Sequence, residues 1–163
     1  MKKLRDYFVV CAVALFCIAG LNACNGDDDD EPVDSSSIIG TWQAVYDEIW
    51  EKENGKIVYQ ESESYDKDDV WIIDLKSNGR YATYDEPNTY PNDPDGEGNW
   101  KLDGKKLSLG DDEYDAVSGD PEWDQYTVES VDANSLVLSI YEKDTEDGIT
   151  YEVYSKTTYK KIK

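Results

Sequence analysis

Leu75-Lys76-Ser77-Asn78-Gly79-Arg80-Tyr81 is the stretch of the chain that best indicates its fold. Its Asn-Gly pair lies between two alternating apolar segments, which is the strongest short-range signal of a β-hairpin. Both residues tolerate the positive φ that a tight hairpin turn requires. On the N-terminal side, Trp71, Ile73 and Leu75 share one face because side chains alternate along a strand. The stretch therefore predicts a hairpin with one apolar face.

Turn residues of the same kind recur along the chain, and no segment between them shows the apolar periodicity of a helix. Turn signals occur at Asn54-Gly55, Asn78-Gly79, Asp103-Gly104, Ala133-Asn134 and Asp147-Gly148. Nine antiparallel strands leave two exposed edges unless the sheet closes on itself. The sequence predicts an all-β, up-and-down antiparallel meander that closes into a barrel of eight to ten strands. The predicted strands are 40–49, 56–63, 70–75, 80–84, 98–102, 105–109, 124–131, 135–142 and 149–159.

Several of these strands carry motifs whose order and spacing resemble one family. The motifs are Gly40-Thr41-Trp42, the hairpin quoted above, Gly98-Asn99-Trp100-Lys101-Leu102, and Tyr126-Thr127-Val128 followed by Leu136-Val137-Leu138. Together they resemble the bacterial lipocalin-like domain family, over about residues 38–160. The resemblance implies an up-and-down barrel with Trp42 packed at one end, and it implies no particular activity.

The N-terminal part has the order of a secretory signal, with basic residues before an apolar run over residues 7–19. That run is shorter than the roughly 20 residues that cross a bilayer. Leu21-Asn22-Ala23-Cys24 resembles the lipobox of bacterial lipoproteins, which implies cleavage before Cys24 and acylation of its sulfur. We therefore predict a signal peptide at 1–23, a disordered acidic tether at 24–37 and one barrel domain at 38–163.

The acidic run Asp27–Glu31 resembles a signal that directs some lipoproteins to the outer face of the outer membrane, and a solvated spacer is the alternative. We expect a cell-surface lipoprotein of the Gram-negative outer membrane, held by acyl chains on Cys24. A periplasm-facing location is the alternative.

The charge of the chain excludes several partners. There are 16 basic and 37 acidic residues, for a net charge of −21. Nucleic-acid binding relies on Lys and Arg that neutralise phosphates, so we expect no nucleic-acid partner. Strong net charge also keeps proteins soluble and apart, which favours a monomer.

The chain contains no histidine, and two of its three cysteines, Cys11 and Cys17, lie in the apolar run of the signal. Removal of the signal would leave Cys24 as the sole cysteine. These absences exclude Ser-His and Cys-His nucleophiles and histidine-bearing zinc sites. Carboxylate pairs arise by chance in so acidic a chain, and we expect no enzymatic activity.

The predicted barrel interior is rich in aromatic residues. An eight-stranded barrel has room for packed side chains or for one small ligand. The candidates either fill the core or line a pocket for a small apolar molecule, and they are Trp42, Trp71, Ile73, Tyr81, Trp100, Tyr126 and Leu138.

Strand parity predicts where the connections lie. If all nine strands alternate in direction, the tight turns near residues 54, 78, 103 and 133 share one end, and the long acidic connections share the end that bears Trp42. Asp93, Asp95 and Glu97 lie in one long connection and are candidate Ca²⁺ ligands, because Ca²⁺ takes six to eight oxygens. Their spacing does not match an EF-hand, and solvated loop acids are the alternative. No other cofactor is predicted.

A third hypothesis concerns the aromatic residues of the connections. Tyr84, Tyr90, Tyr114 and Trp123 have acidic neighbours, and such pairs stack on sugar rings while they accept hydroxyl hydrogen bonds. Anchoring of the loops explains the same residues. The sequence thus favours a surface-anchored, non-enzymatic binding module, with a carbohydrate-binding protein or a structural component without a cavity as alternatives.

Overall fold

The computed structural model describes residues 32–66, 71–85, 89–112 and 123–163. One short helix, α1, precedes nine strands that carry the β-branched and aromatic residues typical of sheets. The elements are α1 (Ser35–Ile38), β1 (Gly40–Glu53), β2 (Lys56–Ser64), β3 (Ile72–Leu75), β4 (Arg80–Tyr84), β5 (Gly96–Asp103), β6 (Lys106–Asp111), β7 (Trp123–Val131), β8 (Ser135–Glu146) and β9 (Ile149–Lys161). Within the described ranges, no helix is long and apolar enough to cross a membrane.

The strands form one antiparallel sheet that closes into a barrel. Neighbours follow the order β2-β1-β3-β4-β5-β6-β7-β8-β9, and β9 pairs back with β1. Closure through β1 and β9 makes an eight-stranded barrel of β1 and β3 to β9, with β2 as an additional strand. The prediction of an all-β meander that closes into a lipocalin-like barrel is confirmed.

The predicted distribution of loops between the two ends is wrong, because one edge of β1 holds two strands in succession. Residues 40–43 of β1 pair with β3, whereas residues 46–53 pair with β2. Since both are antiparallel to β1, β2 and β3 run in the same direction. The chain therefore reverses one time fewer than nine alternating strands would require. The strand ends that flank the long connections after β4 and β6 lie opposite the Trp42 end, and the turn at Asn54-Gly55 lies at the opposite end from the turn at Asn78-Gly79.

The Trp42 end of the barrel is closed by the segment before β1. Val33 packs against the core, and Ile38 and Trp42 are both fully buried. The Trp42 indole Nε1 donates a hydrogen bond to the Ile38 carbonyl at 2.8 Å. Asp34 caps α1 by accepting from the Ser36 amide at 2.9 Å. We call this end the floor.

The floor corrects the predicted boundary of the tether. Residues 33–37 were expected to be disordered, yet they include an ordered cap, a helical turn and a core side chain. Val33 is apolar, unlike the acidic residues before it. Its burial against the core therefore helps to order this segment. The predicted signal peptide, Cys24 and the acidic run 27–31 lie outside the described residues.

Most of the predicted interior residues lie in one core cluster. Trp42, Ile73, Tyr81 and Leu138 are at most 6% exposed, and Trp100 and Tyr126 are partly buried against them. Trp71 is the exception, because it is 48% exposed and its placement in the core was wrong. It lies just before β3 begins, opposite Ala44, whose amide donates to the Trp71 carbonyl at 2.8 Å.

Candidate functional site

Three tyrosines lie on the inner face of the barrel and touch the core cluster. Tyr81 is a buried member of that cluster, and Tyr126 and Tyr159 pack against it while remaining partly accessible. The surrounding protein disfavours the phenolate, so burial raises the pKa of all three hydroxyls well above the ordinary value. We call this partly accessible part of the inner face, around Tyr126 and Tyr159, the recess.

Two aspartates near Tyr81 lie on this inner face. Asp111 follows the buried Leu109 by two residues, and Asp124 precedes the core residue Tyr126 by two, so alternation turns both inward. Their charges contribute to the raised pKa of Tyr81. The recess is therefore lined by aromatic rings with carboxylates beside them.

Asp47 of β1 also faces inward. It lies opposite Thr157 in the register, and the Thr157 hydroxyl donates to its Oδ1 at 3.0 Å. Burial raises the pKa of Asp47, and the charges of Glu63 and Glu48 add to the rise, while the hydrogen bond from Thr157 opposes it. Asp47 therefore becomes neutral at a higher pH than an exposed aspartate does.

The positive charge of the inner face lies at the floor. Lys161 faces Trp42 in the register, with its amine 4.7 Å from the ring centroid and donating to the Ile39 carbonyl at 2.9 Å. In the barrel strands that the structure describes, alternation places no other Lys or Arg on the inner face. The recess accordingly offers apolar and aromatic surface, hydroxyl groups and negative charge. Such a lining suits a neutral or positively charged small molecule better than an anion.

Two glycines of β5 allow close contact between β5 and its neighbouring strands. The sequence did not predict this role. A Cβ on Gly98 would lie 1.9 Å from the Gly110 carbonyl oxygen and 2.9 Å from Cε1 of Tyr81. A Cβ on Gly96 would lie 2.8 Å from the Thr83 hydroxyl oxygen. The Gly98-Asn99-Trp100 motif was recognised as a pattern, but only the packing explains why it begins with glycine.

An ion pair links β4 to the residue that follows β6. The Arg80 guanidinium binds both carboxylate oxygens of Asp112, at 2.9 and 2.5 Å. The pair ties the start of β4 to the residue after β6. The two side chains are 32% and 41% exposed, so the contribution of the pair to stability is modest.

The predicted calcium ligands do not form a cation site. Oδ2 of Asp95 accepts from the Asp85 amide at 2.7 Å, and the Asp95 amide donates to the Thr83 carbonyl at 2.9 Å. These bonds hold the connection between β4 and β5 in place. In the part of the chain that the structure describes, no three acidic side chains converge closely enough to hold a metal ion. The calcium hypothesis for Asp93, Asp95 and Glu97 thus gains no support.

The aromatic residues predicted to stack on glycans do not share a platform. Tyr84 is 4% exposed and meets Tyr90 edge-on, with interplanar angle 88° and centroids 5.1 Å apart. The pair anchors the connection that follows β4, since the Tyr84 hydroxyl donates to the Pro91 carbonyl at 3.4 Å. Trp123 lies elsewhere, packed on Gly110 with the Lys101 amine 3.9 Å from its ring centroid. Tyr114 lies outside the described residues.

A different aromatic row was missed because its members come from three distant strands. Trp50, Tyr154 and Tyr141 are register partners on β1, β9 and β8. Trp50 stacks on Tyr154 with centroids 5.3 Å apart and 19° between the planes, and the Lys52 amine lies 4.0 Å from its centroid. These contacts already occupy the Trp50 ring. Alternation from the buried Trp42 and Ala44 would have placed Trp50 inside, and the register shift between Ala44 and Tyr46 reverses that.

A closed antiparallel barrel with a plugged floor and an aromatic inner recess defines the class of lipocalin-like proteins. Comparison with protein families agrees: the sequence model of the lipocalin-like domain matches residues 38–138, and the chain belongs to this family. Among curated proteins, no sequence matches the chain.

Proposed function

We propose that the protein is a surface-anchored lipoprotein whose barrel binds a small molecule in the recess above the floor and performs no chemistry on it. The observation that carries this proposal is the partial accessibility of Tyr126 and Tyr159 deep inside the barrel. A small ligand would cover the ring surface that protein atoms leave open. Family membership supports a binding role, because lipocalin-like barrels enclose small ligands in the same place.

The lining of the recess favours one ligand class. Asp111 and Asp124 lie close enough to Tyr81, and Asp47 to Tyr159, for their charges to act on the hydroxyls, whereas Lys161 is occupied at the floor. A ligand with an apolar body and a positive head would bury the body against the rings and place the head near carboxylates. A fatty acid would bring a like charge to the same place, which costs binding energy.

Ligand binding is tested with three amphiphiles of equal chain length: dodecylamine, dodecanol and dodecanoate. We expect isothermal titration at neutral pH to give tighter binding for the amine than for the carboxylate by about tenfold, equivalent to about 1.4 kcal/mol. The preference should shrink as pH falls through the raised pKa of Asp47, because protonation removes its charge. Asp47→Asn should shrink it at neutral pH as well.

The matched control is Asp103→Asn, which removes an exposed carboxylate at the end of β5. It should leave the order of the three affinities unchanged. Failure of all three amphiphiles to bind would contradict the proposed recess. An equal effect of Asp47→Asn and Asp103→Asn would show that overall charge, and not the recess, sets the preference.

Anchoring is tested separately at Cys24. We expect Cys24→Ala to abolish incorporation of labelled fatty acid into the protein and to release it from the membrane fraction. The reason is that acylation requires the sulfur, and no other cysteine follows residue 24. The control is Ser36→Ala, close by in the chain, which should be labelled like the wild type. Full labelling of Cys24→Ala would refute the lipoprotein assignment and leave the ligand proposal standing.

A further inference from the structure

The wall of the barrel divides between β7 and β8. Their ladder ends at the pair of Thr127 and Ser139, although β7 begins earlier, at Trp123, and β8 continues to Glu146. Beyond that pair each strand follows its other neighbour, since β7 stays paired with β6 and β8 stays paired with β9. We call this division the fork, and its edges are Asp124, Gln125 and Tyr126 on β7 and Ile140, Tyr141 and Glu142 on β8.

Repulsion between like charges explains why the ladder stops there. If the register of Thr127 with Ser139 continued for three more residues, Asp124 would lie opposite Glu142. Both side chains would lie on the inner face of the sheet, because each is two residues from an inward neighbour. Like charges directly opposite each other destabilise a ladder. The residues of the two strands therefore favour the fork.

A groove of about 570 Å³ lies at the base of the fork. Its lining includes the last ladder pair, Thr127 and Ser139, and the next outward residues, Gln125 and Tyr141. Tyr126 also lines the groove, although its ring packs against the core cluster on the inner face. Contact with residues of both faces indicates that the groove enters the wall at the fork.

The Tyr141 side chain leans away from the fork. Its hydroxyl donates to Oε2 of Glu152 on β9 at 2.7 Å, and its ring centroid lies 6.3 Å from that of Trp50. From Gln125 to Thr127 and from Ser139 to Tyr141, neither strand carries a charged side chain. An apolar chain that enters here displaces no water from a charge on these strands. The charged residues of the groove belong to the β5–β6 hairpin, and they are Asp103, Lys105 and Lys106.

We propose that the fork is the entrance through which the apolar chain of a ligand reaches the recess at Tyr126. This inference rests on the proposed function, because it needs a ligand in the recess. The accessible surface of Tyr126 then faces a side opening in the wall and not the mouth, which is the end of the barrel opposite the floor. The ligand is a molecule with a linear apolar chain, because an opening between two neighbouring strands is a narrow slot.

The test is a cross-link that closes the fork, made in the chain from residue 24 onward, which contains every residue that the structure describes. Cys24→Ser removes the native thiol. Gln125→Cys and Tyr141→Cys are joined across the fork by a bismaleimide with a reducible linker. The matched control joins Lys143→Cys with Glu152→Cys, register partners on β8 and β9 whose ladder is intact. The probe is dodecanol with a terminal trifluoromethyl group, and fluorine NMR measures its exchange between free and bound signals.

We expect the cross-link at the fork to slow association and dissociation of the probe at least about tenfold, because it raises the barrier to passage and leaves the bound state unchanged. Reduction of the linker should restore both rates, and the control cross-link should not alter them. Unchanged rates with the fork cross-linked would overturn the entrance and leave the proposed function standing, with the mouth as the way in. Absence of binding to the protein before cross-linking would refute the proposed function and the entrance with it.

Charge reversal tests the cause of the fork. Glu142→Lys removes the repulsion from Asp124 and should lengthen the β7–β8 ladder, whereas Glu146→Lys makes the same charge change beyond the first residue of β7. We expect slower amide hydrogen exchange at residues 140–142 and slower exchange of the uncharged probe in Glu142→Lys alone. A longer ladder with unchanged probe exchange would overturn the entrance. An unchanged ladder in Glu142→Lys would overturn repulsion as the cause.

Discussion

Replacing Trp42 with alanine is expected to lower the free energy of unfolding by about 3–5 kcal/mol, the range for large aromatic residues removed from a core. Trp42 is fully buried, and its indole donates to the Ile38 carbonyl at 2.8 Å. The alanine would leave a cavity at the floor and a buried carbonyl without its donor. Domains of this size are stable by only about 5–15 kcal/mol, so the loss would remove a large share of the stability.

Trp71→Ala is the matched control, because Trp71 has the same side chain at 48% exposure. It should cost about 1 kcal/mol or less, as exposed positions usually do. Urea unfolding followed by far-ultraviolet circular dichroism measures both variants without relying on tryptophan emission. Equal losses for the two variants would contradict the assignment of Trp42 as the centre of the floor.

Replacing Gly98 with alanine is expected to destabilise the barrel by at least about 3 kcal/mol, the upper end for overpacked cores. The new Cβ would lie 1.9 Å from the Gly110 carbonyl oxygen, which is backbone and has no rotamer to change. Only separation of β5 from β6 would relieve this clash. The Tyr81 ring, whose Cε1 would lie 2.9 Å from the new Cβ, blocks movement in another direction. Urea unfolding is again the measurement.

Gly104→Ala separates this steric effect from the general effect of losing a glycine. Gly104 has a φ of +61°, and beyond its two chain neighbours no atom lies within 4 Å of the position that a Cβ would take. Its replacement should cost about 1–2 kcal/mol, the penalty of the left-handed region for an alanine. If Gly98→Ala unfolded at the same urea concentration as Gly104→Ala, the close approach of β5 and β6 would not limit this position.

Strand location could be predicted from the sequence because alternation and turn residues are local signals. Residues 80–84 were predicted as the strand that β4 forms, and the start of β8 at Ser135 was also predicted. The strands β1, β8 and β9 extend beyond their predicted ends, to Glu53, Glu146 and Lys161. Those extensions are mostly polar, and pairing with neighbouring strands holds them in place.

The candidate site was less predictable. Tyr81, Tyr126 and Leu138 were placed inside, but Tyr159, Asp47, Asp111 and Asp124 were not. A single aspartate in an acidic chain carries no local sign that it faces inward. Trp71 shows the converse, since alternation with Ile73 and Leu75 indicated burial and the strand begins only at Ile72.

The sequence by itself determined the class of fold and the strands, because periodicity and turn chemistry act over a few neighbouring residues, and the family resemblance implied the place of Trp42. The tertiary structure decided which end of the barrel is open, since that depends on β2 and β3 sharing one edge of β1. It also decided which tyrosines and aspartates share the inner face of the barrel, namely Tyr81, Tyr126, Tyr159, Asp47, Asp111 and Asp124. Both outcomes arise from contacts between residues far apart in the chain, which no local pattern encodes.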